Sequence, residues 1–202
     1  MTIDILPGDP PGLARLVELL RAGGVVGFPT DTVYGLAALA SDERAVQRVF
    51  DIKGRPLSQP LVLMVSEPSL IHGLAEVGER ERAYMERWWP GPLTLLLRAR
   101  PHLRPPLVRG EPPTVGVRIP DHPDALALLW AVEAPLATTS ANRSGLPEAM
   151  TAVEAARLGG LAAVMDGGRA PGGVPSTLLD LSGPEPRVLR AGPIPARALA
   201  RP

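Results

Sequence analysis

The chain holds one lysine. The other 20 of its 21 basic residues are arginine, and the exception stands in Lys53-Gly54-Arg55-Pro56. Arginine is a planar fork with a permanent charge, whereas lysine is a compact point charge on a slim stem. A site that threads an ammonium between phosphate oxygens has reason to keep the lysine. Arg55 sets a second cation close by. At about 6 Å the two repel by roughly 3 kcal/mol at an effective dielectric near 20, so convergence in a cleft calls for an anion between them. Gly54 can take the left-handed conformation that ends a helix, and Pro56 fixes the chain leaving it; both favour convergence.

Other stretches place polar atoms at the ends of apolar runs. Gly24 to Phe28 reads as a buried strand and is followed by Pro29-Thr30-Asp31-Thr32. Hydroxyls and a carboxylate at a strand tip stand where α/β folds bind ligands, although the same residues also suit a plain turn. Leu136 to Thr139 leads into Thr138-Thr139-Ser140-Ala141-Asn142-Arg143-Ser144-Gly145, with the only asparagine of the chain; a capped turn is the simpler alternative. In the strand Thr114 to Pro120, period two sets Arg118 on the face of Thr114 and Gly116, where a guanidinium fork suits a carboxylate. Pro171 to Pro175 is a glycine-rich loop ending at Ser176-Thr177. Its amides could cradle phosphate, though the Walker lysine is missing.

These groups need elements to hold them. Asp9-Pro10-Pro11 opens a helix that Gly23-Gly24 stops. Ser41-Asp42 opens another, with Val46, Val49, Phe50 and Lys53 on one face, which carries Lys53 to the helix C-terminal end beside Pro29 to Thr32. Leu61 to Val65 reads as a buried strand, Ser66 to Val77 and Glu79 to Trp89 as two helices, and Leu93 to Leu97 as a strand after the break Trp88-Trp89-Pro90-Gly91-Pro92. The two tryptophans read as core packing. Pro101 to Pro113, with five prolines, Arg104 and Arg109, reads as a surface loop and a candidate cover. Asp124 to Val132 is an apolar helix, and Thr151 to Glu154 a capping box. Ala163 to Met165, Ser176 to Asp180 and Arg187 to Leu189 read as strands, and Pro195 to Pro202 as a short tail. The expected class is α+β of mixed α/β type: a twisted, mostly mixed sheet with helices on its faces and a concave central cleft.

At 202 residues the chain reads as a single domain, with a core over about residues 12–192. Charges balance at 21 against 21, so no global field draws in nucleic acid or membrane. Cysteine is absent, which excludes disulfides, thiolate metal sites and a cysteine nucleophile. No signal peptide opens the chain and no apolar run approaches the roughly 20 residues of a membrane span, so a cytoplasmic location is expected. With 25 prolines, 21 glycines, one asparagine and two glutamines, the composition leans towards a thermophile or a biased genome.

Phe28 to Leu36 followed by Lys53-Gly54-Arg55-Pro56 resembles the YrdC-like family of threonylcarbamoyl-AMP synthases. Trp89 to Thr94, Gly116 to Pro120 and Thr139 to Gly145 extend the likeness, with weaker matches at Ser176-Thr177 and Arg190-Ala191-Gly192. The resemblance implies an enzyme that joins L-threonine, bicarbonate or CO₂, and ATP into threonylcarbamoyl-adenylate and pyrophosphate, for modification of the adenosine beside the anticodon in tRNA. It implies a catalytic quartet of Lys53, Arg55, Ser140 and Asn142. It implies threonine held by Thr32, Thr138, Ser176 and Arg118, and nucleotide by Arg55, Ser140, Thr114 and Arg190. Magnesium would ride on the triphosphate, with no protein metal site. Downstream tRNA threonylcarbamoyltransferase proteins are implied as partners, with tRNA contact possible.

Met64 stands where many longer family members carry a histidine, and their linker and second domain are not in this sequence. His72, His102 and His122 lie outside every matching block and receive no role. Lys53→Ala is expected to abolish turnover with little change in the thermal melt. Two alternatives stand beside the enzyme: a module binding double-stranded RNA or tRNA in the same cleft without chemistry, and a carbamoyl-adenylate domain like that of hydrogenase-maturation carbamoyltransferases.

Overall fold

The computed structural model describes residues 3–103 and 105–201; Arg104 lies outside them. In chain order the elements are β1 (Asp4–Pro7), α1 (Pro10–Arg21), β2 (Val26–Phe28), β3 (Gly35–Leu39), α2 (Glu43–Lys53), β4 (Val62–Met64), α3 (Glu79–Trp88) and β5 (Leu93–Arg98). Then follow β6 (Thr114–Arg118), α4 (Pro123–Val132), β7 (Leu136–Ser140), α5 (Ala152–Ala156), β8 (Ala163–Asp166), β9 (Thr177–Asp180) and β10 (Arg187–Arg190).

Local signals set the helix ends. Asp9 accepts the Gly12 N–H at 2.9 Å, and prolines fill a first turn that needs no donor. Asp42 caps α2 through the Ala45 N–H at 3.0 Å, and Gly54 closes it at φ 61°. Thr151 caps α5, while Glu154 reaches back to the Met150 N–H, one residue beyond the expected capping box.

The described strands form one ten-stranded mixed sheet in the order β1-β8-β2-β3-β7-β4-β6-β5-β9-β10. Pairing register decides what each face carries. Ala37, Thr138, Val62, Gly116 and Leu96 stand opposite one another across five strands. Directly paired residues share a face, and so do residues two apart along a strand. Thr94, Thr114, Arg118, Ser140 and Met64 therefore lie on that face, and Leu178 and Arg190 join it through their pairing with Thr94 and with each other. The opposite face presents Leu36, Leu63, Leu95, Val115, Val117, Ala137 and Leu179 to the main core, which includes residues of α2, α3 and α5. On the polar face, α1 and α4 cover Val26, Phe28, Ala37, Met64 and Leu136 through Leu16, Leu20, Leu128 and Leu129. The rest of that face is open, and it is the cleft.

Several expectations change. Strands β1 and β3 were not foreseen; β3 lies mid-sheet, and its small residues Gly35, Ala37 and Ala38 hide a β signal. The segment expected as a helix over Ser66 to Val77 holds only a 3₁₀ turn, Pro68–Gly73, because proline and glycine leave no room for a longer run. The loop expected as a cover is pinned by Leu103 and Val108, both buried in the main core. The C-terminal tail also docks: Ile194 and Leu199 are buried, and Tyr84 Oη donates to the Leu199 carbonyl at 2.8 Å. Trp88 and Trp89 pack on the main core as expected, and Trp89 Nε1 donates to Leu93 O at 2.7 Å.

Candidate functional site

Two adjoining spaces open on the polar face. The inner chamber, about 590 Å³ including its open mouth, is lined by Thr30, Thr32, Met64, Thr94, Arg118, Thr138, Ser140 and Ser176 among others. The outer one, about 820 Å³, is lined by Ser58, Pro60, Leu96, Gly110, Thr114 and Leu178 among others. Arg55, Pro60, Val62 and Arg190 line both, so two guanidinium groups stand where the spaces meet. Gly116 on the floor leaves open the place a side chain would fill.

Lys53 sits behind the chamber wall and is 2% exposed. Its ammonium donates to Ser140 O at 2.5 Å, Asn142 O at 3.0 Å and Asn142 Oδ1 at 2.5 Å, so all three hydrogens are engaged. Ser140 Oγ donates to Asn142 Oδ1 at 2.8 Å, and Asn142 Nδ2 to Leu146 O at 2.5 Å. The Ser144 N–H returns to Lys53 O at 2.9 Å. The quartet inferred from resemblance is thus brought together unevenly: Arg55 and Ser140 face the cleft, while Lys53 and Asn142 build the loop beneath it. Burial pushes the Lys53 ammonium down to about 8, Arg55 adds to the effect, and Glu148 opposes it. Arg55 is held in place by donating to Gln59 O at 2.7 Å. Burial lowers its pKa, and so does the charge of Arg190.

Arg118 is 3% exposed, and its fork is already partly engaged. Nε donates to Gly91 O at 3.0 Å, Nη1 to Thr32 Oγ1 at 3.1 Å, and Nη2 to Asp31 Oδ1 at 2.6 Å. Three of five N–H groups are thereby used, leaving one on each terminal nitrogen. Asp31 balances the buried charge, and its Oδ2 has no partner among the described residues. Ser176, Thr32 and Thr138 line the same chamber, while Thr114 lies in the outer space. Arg190 donates from Nε and Nη2 to Ser176 O at 3.1 and 2.9 Å.

Residue-by-residue reading missed four contributors. Asp31 stood among the strand-tip groups that could meet a ligand or form a turn, and it turns out to orient Arg118. Thr94 was read as part of a structural run, yet it lines the chamber; its place opposite Leu178 on the polar face shows only through the pairing. Glu148 acts electrostatically on Lys53 and Arg190. The glycine-rich loop lies against the strand tip: Gly172 and Gly173 N–H groups bond Thr32 O at 3.1 and 3.0 Å. A Cβ on Gly172 would come within 2.8 Å of Thr32 Cα, so only glycine allows this approach.

A mixed α/β sheet carrying a chamber with polar walls, joined past two arginines to an outer space, is the architecture of a protein with its site in an open cleft. The profile of the family named for Sua5, YciO and YrdC, described as "Telomere recombination", matches residues 18–192, and the chain belongs to that family. The chain is 40% identical over 194 residues to the threonylcarbamoyl-AMP synthase of Bacillus subtilis, covering 95% of this chain and 56% of that protein. The solved structure of Pyrococcus abyssi Sua5 complexed with L-threonine superposes with a TM-score of 0.92 at 37% identity, covering 98% of this chain and 60% of that one. Escherichia coli YciO superposes at 0.85 and 26% identity, covering 96% and 97%. The chain thus spans little more than half the length of the first two relatives and nearly all of the third. Among the described residues no helix is long and apolar enough to cross a membrane.

Proposed function

We propose that the protein is an L-threonylcarbamoyladenylate synthase, with the amino acid in the inner chamber and ATP in the outer space. The arginine gate carries this reading: Arg55 and Arg190 line both spaces, so they meet the anions of both substrates. In the inner chamber, the two free N–H groups of Arg118 suit a carboxylate. Thr32, Thr138 and Ser176 supply hydroxyls for the amine and side chain. Thr114 contacts the nucleotide from the outer wall.

The threonine amine and CO₂ form a carbamate with loss of one proton. A carbamate oxygen then attacks the α-phosphorus, and the bond to the β-phosphoryl oxygen breaks to release pyrophosphate. Magnesium enters as part of the ATP substrate. The side chains form no covalent bond; they orient two anions and offset their mutual repulsion. Arg55 and Arg190 face the phosphates, Ser140 lines the chamber with its hydroxyl hydrogen held by Asn142, and Lys53 adds its charge from behind while Asn142 keeps the loop in shape. The mixed anhydride is labile to water, and the Gly172 strap over Thr32 shields it.

The residue-sized inner chamber favours a small ligand over the RNA-binding alternative. The product is a donor for tRNA threonylcarbamoylation by a downstream transferase, which places the work in the cytoplasm. The test is pyrophosphate release from ATP with bicarbonate and single amino acids. Release that needs both threonine and bicarbonate is expected; release indifferent to either overturns the proposal.

A further inference from the structure

Each hydroxyl in the inner chamber has one hydrogen to give and two lone pairs to fill. Bonds within the protein therefore decide what it can still offer a ligand. Thr138 Oγ1 donates to Val62 O at 3.0 Å and so faces the chamber as an acceptor. Thr30 Oγ1 donates to Val33 O at 2.7 Å and accepts the Thr32 and Val33 N–H groups at 3.1 and 3.3 Å, so it has no hydrogen to give in its 2.9 Å contact with Thr32. Arg118 Nη1 fills one Thr32 lone pair, and Thr32 too is left as an acceptor.

Ser176 is different. Its Oγ receives Arg190 Nη2 at 3.2 Å and lies 2.7 Å from Thr94 Oγ1. Thr94 is 1% exposed, and Ser176 is the one protein partner of its hydroxyl among the described residues. If Thr94 donates, both Ser176 lone pairs are filled and the Ser176 hydrogen is free. The reverse direction would leave a buried Thr94 hydrogen without a protein acceptor, which costs stability.

We infer that Thr94 is a positioning residue for amino-acid binding: by donating to Ser176 it makes the Ser176 hydroxyl a hydrogen donor to the carboxylate of the substrate. The inference rests on the amino-acid assignment above. The chamber then offers donors from Arg118 and Ser176 and acceptors from Thr32 and Thr138. A zwitterionic or carbamoylated amino acid with a side-chain hydroxyl satisfies both sets. Valine, with a methyl in place of the hydroxyl, leaves an acceptor unfilled and is disfavoured.

The test compares Thr94→Val and Thr94→Ser by pyrophosphate release, with KM and kcat taken for threonine and for ATP. Thr94→Val removes the donor at nearly constant volume. Its KM for threonine rises about tenfold, as for a weakened hydrogen bond to a charged group, while KM for ATP stays within about twofold. Thr94→Ser restores the donor and brings KM for threonine back to within about twofold of the natural chain. Adding Thr94→Val to Ser176→Ala has little further effect, because the first acts only through the second. Unchanged KM for threonine in Thr94→Val, equal loss in Thr94→Ser, or full additivity with Ser176→Ala each overturns the inference while the synthase reading stands. A natural chain that releases no pyrophosphate with threonine and bicarbonate overturns the substrate reading, and this inference with it.

Discussion

Replacing Lys53 by methionine keeps the stem and removes the ammonium. Three acceptors then lose their donor: Ser140 O, Asn142 O and Asn142 Oδ1. Two retain another, since Ser140 O accepts the Asn142 N–H at 3.1 Å and Asn142 Oδ1 accepts Ser140 Oγ at 2.8 Å. At about 1 kcal/mol for each lost bond the gross loss is about 3 kcal/mol. Methionine no longer bears the burial cost that holds the Lys53 pKa down to about 8, which returns part of that. A net loss of about 1–2 kcal/mol lowers Tm by about 2–8 °C in a chain of this size. The loss is concentrated in one loop, so amide hydrogens over residues 140–149 should exchange at least about tenfold faster at pH 7. Calorimetry and hydrogen exchange by mass spectrometry on the same sample check both. This replaces the expectation, drawn from a catalytic role for Lys53, that its removal leaves the melt nearly unchanged. A variant with Tm within 1 °C of the natural chain, unaltered exchange over the loop and no turnover would refute the reasoning, and would make Lys53 a phosphate ligand instead of a fastener.

Two more outcomes follow from the same geometry. Gly172→Ala places a methyl 2.8 Å from Thr32 Cα and O, so the strap must lift; KM for threonine rises several-fold and the intermediate hydrolyses faster, while Tm moves by less than about 2 °C because the strap is on the surface. Activity also depends on pH through Lys53, which is charged below about 8 and neutral above it. A neutral amine has two hydrogens for three acceptors, so kcat/KM falls as pH rises through that value. Glu148 raises the Lys53 pKa, so Glu148→Gln moves the fall to lower pH; an inflection that does not move excludes Lys53 as the titrating group.

Much of the local structure was legible in the residues themselves. Asp9, Asp42 and Gly54 mark helix ends because capping and positive φ are decided within a few residues, and the period of Val46, Val49, Phe50 and Lys53 turned the lysine inward. Its partners could not be read that way. An ammonium pointing inward can meet a phosphate or a carbonyl, and only the approach of a loop nearly 90 residues later makes it the second. Arg118 shows the same limit: its strand face followed from period two, but its pairing with Asp31, 87 residues away, depends on sheet order.

The placement of the two irregular loops was hidden for a related reason. Proline content marks both Pro101 to Pro113 and the glycine-rich loop as irregular. Burial of Leu103 and Val108 pins the first, while the bare backbone of Gly172 lets the second lie on Thr32. Propensity, capping and side-chain period act over a turn or a pleat, so the amino-acid string alone was enough for most of the elements, the polar strand ends and the family likeness. Thr94, Ser176 and Arg190 come together only when β5 pairs with β9 and β9 with β10. Which hydroxyl gives a hydrogen and which receives one depends on that packing, because each meets neighbours distant in the chain.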